Sequence, residues 1–321
     1  MNVMADSYKV EIISTKEKNK LMFEIYKDNL YEKKANIHGT CVKLFTNNEE
    51  IKQMWDDNFK PISDDIRPHA RVFAINDTSK KLRVLYDPTT KTVIIKNCDY
   101  YGWVKSIALG LVADFFEDFT SEHKRYSIHG SFVDSSGRGL GIIGPSGSGK
   151  TTLTYGLLLD DKNNFVTDDW FFVRLARNET LIFASEKNSY IRDDLAANWP
   201  QFKEKLVNMR KDTRGRAIVD VKWIFGSDRI RDESTLKAVV LLMREQGKDV
   251  IKKLSANEAL NFMIKNDFCN PHQLVRTKKK VQERKEFFYE LFSRAPVYLL
   301  NTIEKPHESL ERLKKLINEG G

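Results

Sequence analysis

Short apolar runs separated by polar turns dominate this chain, and their spacing changes character near residue 100. In the first part, Val10-Glu11-Ile12-Ile13 and Leu21–Tyr26 read as strands, and Thr40–Phe45 alternates apolar with polar side chains in the strand period of two. Asn47 or Asn48 stands where it would cap a helix through Ile51, Met54 and Trp55. Arg71–Ile75, Arg83–Tyr86 and Thr92–Ile95 predict three more strands, with Asp87-Pro88-Thr89-Thr90 as a turn. From residue 101 onward, strands alternate with helical spacing. Trp103–Phe119 predicts a helix, and Tyr126–Asp134, Leu140–Ile143, Asn164–Thr167 and Trp170–Leu175 predict strands. Ser255-Ala256-Asn257-Glu258 is a capping box opening a helix. Residues 282–292 form another, followed by a strand at Val297–Leu300 and a closing helix from Pro306 to Ile317. The expectation is an N-terminal α+β domain over 1–100 and an α/β domain over 101–321.

Composition changes this picture only where charge is divided along the chain. The 321 residues carry a net charge of +8. Residues 1–100 hold 17 Lys/Arg against 15 Asp/Glu, residues 101–199 hold 10 against 13, and residues 200–321 hold 26 against 17. The surplus lies in Lys203–Arg216 and Arg276–Lys285, which points to a polyanionic partner. No apolar run is long enough to span a bilayer, so no membrane is expected. Met1–Asp6 lacks the basic-then-apolar layout of a secretory signal. Cys41, Cys98 and Cys269 are scattered as ordinary packing residues that suit a reducing cytoplasm.

Candidate chemistry begins at Gly144-Pro145-Ser146-Gly147-Ser148-Gly149-Lys150-Thr151, a phosphate-binding G-x-x-x-x-G-K-T loop between a predicted strand and a helix that Thr152 continues. Such a loop aims backbone N–H groups and a helix N-terminus at a polyphosphate. Its glycines allow positive φ and close approach of phosphate oxygens. Lys150 would bring a charge to the β/γ-phosphates of ATP, and Thr151 would ligate Mg²⁺. An ABC-transporter reading needs an L-S-G-G-Q stretch and a distant strand ending in Asp-Glu, and the sequence has neither. Instead Asp168 and Asp169 end a strand 18 and 19 residues after Lys150. One carboxylate can serve Mg²⁺, and the other can take a proton from an attacking hydroxyl.

Ser127–Asp134, Gly137-Arg138-Gly139, the Gly-rich loop, Val166–Asp169, Asp212–Val221 and Ile224–Asp232 together resemble the core of the bacterial HPr kinase/phosphorylase family, which shares a fold with ATP-dependent phosphoenolpyruvate carboxykinase. The resemblance covers roughly residues 126–235. It implies an α/β P-loop kinase core preceded by the α+β domain. It further implies Asp169 as base with Asp168 beside it, His129 near the transferred phosphate, and Arg231 neutralising charge there. Thr151, Asp168 and Asp212 would be metal ligands, although the family has Glu where this chain has Asp212.

Two departures stand out. The family's F-G-A-G-A-V is Phe225–Ile230 here, more polar, and its Gly-x-Gly after R-G is replaced by Arg216-Ala217. In the N-terminal half, Asn58 or Phe59 to Ala70 around Pro61 and Pro68, and Asp99–Lys105, look similar to archaeal relatives of this kinase, among which are RNA kinases that phosphorylate a ribose 2′-hydroxyl in tRNA. The expected acceptor is therefore RNA, met by Arg210, Lys211, Arg214 and Arg216. Two alternatives stand beside it: a kinase of a protein serine or a small metabolite, and a nucleotide-gated RNA-binding protein without catalysis.

Overall fold

The computed structural model describes residues 8–269 and 273–319. Met1–Asp6, where the absence of a secretory signal was read, lies outside the described residues. The described chain forms two compact units, residues 8–118 with 273–276 and residues 119–269 with 277–319.

The first unit runs β1 (Val10–Ile12), α1 (Thr15–Ile25), β2 (Tyr31–Ile37), β3 (Thr40–Thr46), α2 (Glu49–Asn58), β4 (Lys60–Pro61), β5 (Ala70–Ile75), β6 (Arg83–Asp87), β7 (Thr92–Lys96) and α3 (Tyr101–Glu117). Its strands make one mixed sheet in the order β1-β6-β7-β5-β3-β2-β4. Leu21–Tyr26, expected as a strand, lies in and at the end of α1. The reason is local: Ser14 caps Glu17 N–H, the Glu17 carboxylate accepts from Ser14 N–H at 2.8 Å, and this reciprocal pair nucleates a helix that the apolar run then continues. Asn48 caps α2 as expected, its Oδ1 accepting from Glu50 and Ile51 N–H.

The second unit comprises β8 (Tyr126–Ser135), β9 (Arg138–Ile143), α4 (Lys150–Leu157), β10 (Asn163–Thr167), β11 (Trp170–Leu175), β12 (Thr180–Ala184), β13 (Asn188–Ile191), α5 (Asp194–Asn198), α6 (Lys203–Leu206), β14 (Ala217–Asp220), α7 (Val221–Phe225), β15 (Glu233–Met243), β16 (Ile251–Leu254), α8 (Ala256–Lys265), α9 (Lys278–Arg294), β17 (Val297–Asn301) and α10 (Pro306–Glu319). Long β8 pairs with β11 through its first half and with β9 and β10 through its second. β11 pairs β12, β12 pairs the start of β15, and β15 runs parallel to β9. The pairings β8–β11–β12–β15–β9–β8 thus close a ring. β17 and β16 extend the sheet beyond β15. One apolar layer, including Phe132, Val166, Phe171, Met263 and Phe288, lies on one side with α8 and α9. The other, including Leu153, Tyr155, Trp199, Leu242 and Leu313, holds α4 and α10.

Closure of the ring leaves no room at Gly139. A Cβ there would sit 2.3 Å from the Phe132 ring and 2.6 Å from the Thr235 carbonyl oxygen. A side chain can yield but the backbone of a paired strand cannot, so Gly139→Ala is expected to destabilise the protein by about 1–3 kcal/mol. Urea denaturation measures it; an unchanged midpoint would mean the strands separate freely at that point.

Candidate phosphoryl-transfer site

β9 ends at Ile143 and α4 begins at Lys150, so the Gly-rich loop is suspended between a buried strand and a helix. Gly144 must be glycine, because a Cβ would meet Leu242 Cβ and the Leu242 carbonyl oxygen, both at 2.9 Å. Gly147 and Gly149 take φ of 79° and 100°, the left-handed region that glycine enters without penalty. From the far side, Thr302 Oγ1 shares its proton between the Ser148 carbonyl (2.8 Å) and the Met243 carbonyl (3.1 Å). Trp199 Nε1 donates to the Thr152 carbonyl at 2.8 Å. Both anchors escaped the sequence reading, since neither residue belongs to a motif. Ser148 Oγ is buried and has no hydrogen-bond partner among the described residues. A buried hydroxyl in a glycine-lined loop fits a polyphosphate that would supply the missing oxygen acceptor.

Lys150 does not point into solvent. It is half-buried, and Nζ donates to the Gly144 carbonyl at 2.7 Å and the Pro145 carbonyl at 3.2 Å. Burial lowers its pKa from the ordinary lysine value, and the negative charges of Asp169 and Asp168 oppose that shift. Loop lysine and aspartate pair therefore share one electrostatic neighbourhood. Thr151 and Thr152 follow in the first turn of α4, both half-buried.

The two aspartates differ in access. Asp168 is buried, whereas the Asp169 side chain is 40% exposed. The Asp169 carbonyl accepts from Gly130 N–H at 2.9 Å, pinning the corner between β10 and β11 to β8. His129, one residue earlier on β8, reaches Asp169 Oδ1 with Nε2 at 3.0 Å and the Cys269 carbonyl with Nδ1 at 3.1 Å. Its side chain is only 17% exposed and lies over Trp170, with ring centroids 6.0 Å apart. Of the pair, the Asp169 carboxylate is the more accessible to solvent. The Cys269 thiol, also near Lys150, is pushed up to about 12 by burial and stays protonated.

The remaining expected residues are used differently. Asp212 is buried, and its carboxylate accepts from Arg214 N–H (2.9 Å), Arg216 N–H (2.9 Å) and Arg216 Nε (2.8 Å). Arg216 lies over Tyr190 at 5.0 Å. Asp212 thus closes the turn at 212–216. Among the described residues no group of three or more His, Cys, Asp or Glu side chains gathers as a metal cage. Arg231 is exposed and folds back on the Asp228 carbonyl at 2.6 Å and the Ile230 carbonyl at 3.3 Å. Arg229, passed over in the sequence, is the arginine that penetrates. Its guanidinium binds the carbonyls of Leu158, Asp160 and Asn163 and the Asp161 carboxylate, stapling the end of α4 to β10.

Comparison with known proteins adds the following. Residues 121–269 match the family model described as HPr Serine kinase C-terminal domain. An HPr kinase/phosphorylase of Chlorobium limicola is 26% identical over 211 residues, 66% of this chain and 56% of that protein. One of Chlorobium luteolum is 31% identical over 136 residues, 42% of this chain and 35% of the other. The HPr(Ser) kinase/phosphatase structure from Coxiella burnetii overlaps 60% of this chain and 98% of its own at 16% identity, with a TM-score of 0.34 that assigns no fold. The chain thus spans about half the length of the Chlorobium limicola relative. The similarity to the HPr kinase/phosphorylase family implied by the motifs holds over this stretch.

The expectation of RNA as the partner is corrected. The relatives described above are named HPr kinase/phosphorylase, not RNA kinases. The charge argument also weakens in three dimensions. Lys211 pairs with Asp193 at 2.9 Å, Arg216 with Asp212 at 2.7 Å, and Lys205 Nζ donates to the Ile224 carbonyl at 2.7 Å. Three of the six basic residues of the run at 203–216 thus have partners within their own unit, although only Arg216 among the six is not exposed.

Thr302→Val removes the clasp on the loop and leaves the Ser148 carbonyl without its buried donor. We expect a loss of about 1–3 kcal/mol in urea denaturation. An unchanged unfolding midpoint would show that the clasp carries no energy.

Proposed function

We propose that this protein transfers the γ-phosphoryl group of ATP to a serine hydroxyl of a protein acceptor, through a core of the HPr kinase/phosphoenolpyruvate carboxykinase type. The observation that carries the reading is the Asp169–His129 pair, more exposed at its carboxylate end, in the electrostatic neighbourhood of Lys150. The similarity of residues 121–269 to a serine-kinase domain supports it. Asp169 accepts the proton of the attacking hydroxyl as the oxygen bonds to phosphorus and the β–γ bridge bond breaks. Lys150 moves from the loop carbonyls to offset charge on the phosphates, and the loop N–H groups orient them. Thr151 and Asp168 are the residues that would hold Mg²⁺, which would supply charge neutralisation to the polyphosphate when bound. Asp212 is left out of that set because Arg216 and two backbone N–H groups occupy its oxygens.

A second reading, a kinase of a hydroxyl-bearing metabolite, is favoured by one observation. Where the resemblance implies a glycine-rich segment, Ser227–Ile230 is charged, and Arg229 fixes it to the end of α4. We place the protein in the cytoplasm, since Cys41, Cys98 and Cys269 are all buried free thiols. No helix among the described residues is long and apolar enough to cross a membrane.

Incubation with γ-labelled ATP, Mg²⁺ and either purified HPr or fractionated cell extract tests the proposal. Label in protein serine is expected. Label confined to small molecules would select the second reading, and no transfer to any fraction would overturn both.

Within that assay, Lys150→Ala is expected to abolish transfer and leave the thermal unfolding curve in place, because its charge contacts only loop carbonyls. Asp169→Asn is expected to lower kcat by about 10²–10⁴ while ATP still binds, since an amide keeps the shape but takes no proton. Asp168→Asn is expected to raise the Mg²⁺ requirement instead. Full turnover in Asp169→Asn would reverse the two roles.

A further inference from the structure

Asp267, Phe268 and Cys269 are three consecutive L-residues with φ of 46°, 50° and 57°. Side chains with a Cβ enter this region singly and at a cost, and runs of three are unusual. Several contacts hold the turn in place. Cys269 N–H donates to the Asn266 carbonyl at 2.7 Å, and Asn266 is itself held by its N–H (3.1 Å) and Nδ2 (2.9 Å) on the Phe262 carbonyl. Phe268 stacks on Phe288 with centroids 5.5 Å apart and planes 13° apart. Cys269 is fully buried, its Sγ 3.9 Å from Met263 Sδ. Burial of an aromatic ring and a thiol does not call for positive φ, because right-handed turns bury such side chains equally well. The unusual conformation does one further thing: it turns the Cys269 carbonyl toward His129 Nδ1, 3.1 Å away.

That contact decides the state of the imidazole. A carbonyl and a carboxylate both only accept, so each contact is a hydrogen bond only when the ring nitrogen facing it carries a proton: Nδ1–H donates to the Cys269 carbonyl and Nε2–H to Asp169. The ring is also fixed against a flip about its Cβ–Cγ bond, which would exchange Nδ1 with a ring carbon and turn a C–H edge toward Asp169. Trp170 covers one face.

We propose that the left-handed turn Asp267–Cys269 is a positioning element of the phosphoryl-transfer site, its last carbonyl accepting from Nδ1–H of His129 and so locking the ring in the orientation that points Nε2–H at Asp169. Its kinetic consequence rests on the function proposed above; its structural content does not. None of the three residues touches a substrate. They act through His129, which holds the carboxylate that does.

Substitutions at Cys269 separate this role from packing. Cys269→Gly tolerates positive φ and keeps the carbonyl in place while removing the thiol. Cys269→Val keeps an apolar side chain but is β-branched, and so is driven out of the left-handed region. In protein labelled with ¹⁵N-histidine, with His129→Gln to assign the signal, the parent and Cys269→Gly are expected to show His129 protonated at Nδ1. Cys269→Val is expected to lose that signature, with kcat down about tenfold and the KM for ATP within about twofold. Cys269→Gly should stay within about threefold of the parent in kcat.

A parent ring unprotonated at Nδ1 overturns the proposal, and this needs no variant to fold. An unchanged spectrum in Cys269→Val, or lower activity in Cys269→Gly than in Cys269→Val, overturns it as well. If the parent transfers no phosphoryl group, the functional reading fails, and the spectra alone decide the positioning role.

Discussion

The close approach of Gly144 to β15 is the constraint on which the rest of the second unit depends. Among the described residues the Gly-rich loop has only one backbone hydrogen bond of its own, from Ser148 N–H to the Pro145 carbonyl at 3.2 Å, so its open course needs support from outside. Here the loop is held open from behind. Gly144 lies against the Leu242 backbone, Thr302 ties the Ser148 carbonyl to the end of β15, and α4 carries the chain away from Lys150. β15 can serve as this backing because it runs parallel to both β9 and β17, and so is buried through its second half. The same strand pairs β12 at its other end and completes the ring that brings β8 beside β11. Position of the phosphate loop and position of the His129–Asp169 pair are thus two outcomes of one sheet.

What could be read in advance divides along the line between local and long-range chemistry. The caps at Asn48 and Ser255, the turn at Asp87 and the strand–loop–helix around Lys150 depend on neighbours within a few residues, and each forms where its residues predict. Leu21–Tyr26 misled because an apolar run of six fits either a strand or one face of a helix; Ser14 and Glu17, several residues upstream, decide the matter. β15 offered no clear signal, since its first half is exposed or half-buried apart from Leu236 and its second is buried on both faces. No single period runs through it. Within the site, Asp169 and Lys150 belong to motifs, while Thr302, Trp199, Arg229 and Cys269 act through single contacts with backbone carbonyls, which leave no pattern in the sequence.

Charge along the chain is a poor guide for a similar reason. The run at 203–216 looks like a phosphate-binding stripe when counted. Folded, half of its basic residues are tied to their own unit: Lys205 to the Ile224 carbonyl in the last turn of α7, Lys211 to Asp193, and Arg216 to Asp212 and Tyr190. A buried arginine–carboxylate pair such as Arg216–Asp212 is retained only if its remaining hydrogen-bonding positions are filled, and the N–H groups of Arg214 and Arg216 fill them. That completeness also explains why Asp212 is ill suited to a metal. Displacing Arg216 would strand a guanidinium at Tyr190, and the turn 212–216 would lose its cap.

Lys150 shows how the site can bind a polyanion without being destabilised before it arrives. Burial disfavours its charge, and two carboxylates and two loop carbonyls compensate. The carbonyls are neutral dipoles, weaker partners than phosphate oxygens. The lysine is therefore held by interactions strong enough to keep it charged in a partly dry loop, yet readily exchanged for a fully charged acceptor. Asp169 belongs to the same balance. Its negative charge favours the ammonium, while its own hydrogen-bonding partner is His129, at 3.0 Å, and that of Lys150 is the loop backbone. Lysine and carboxylate thus influence each other through space while each is held by a different partner, and His129 is in turn fixed from behind by the Cys269 carbonyl.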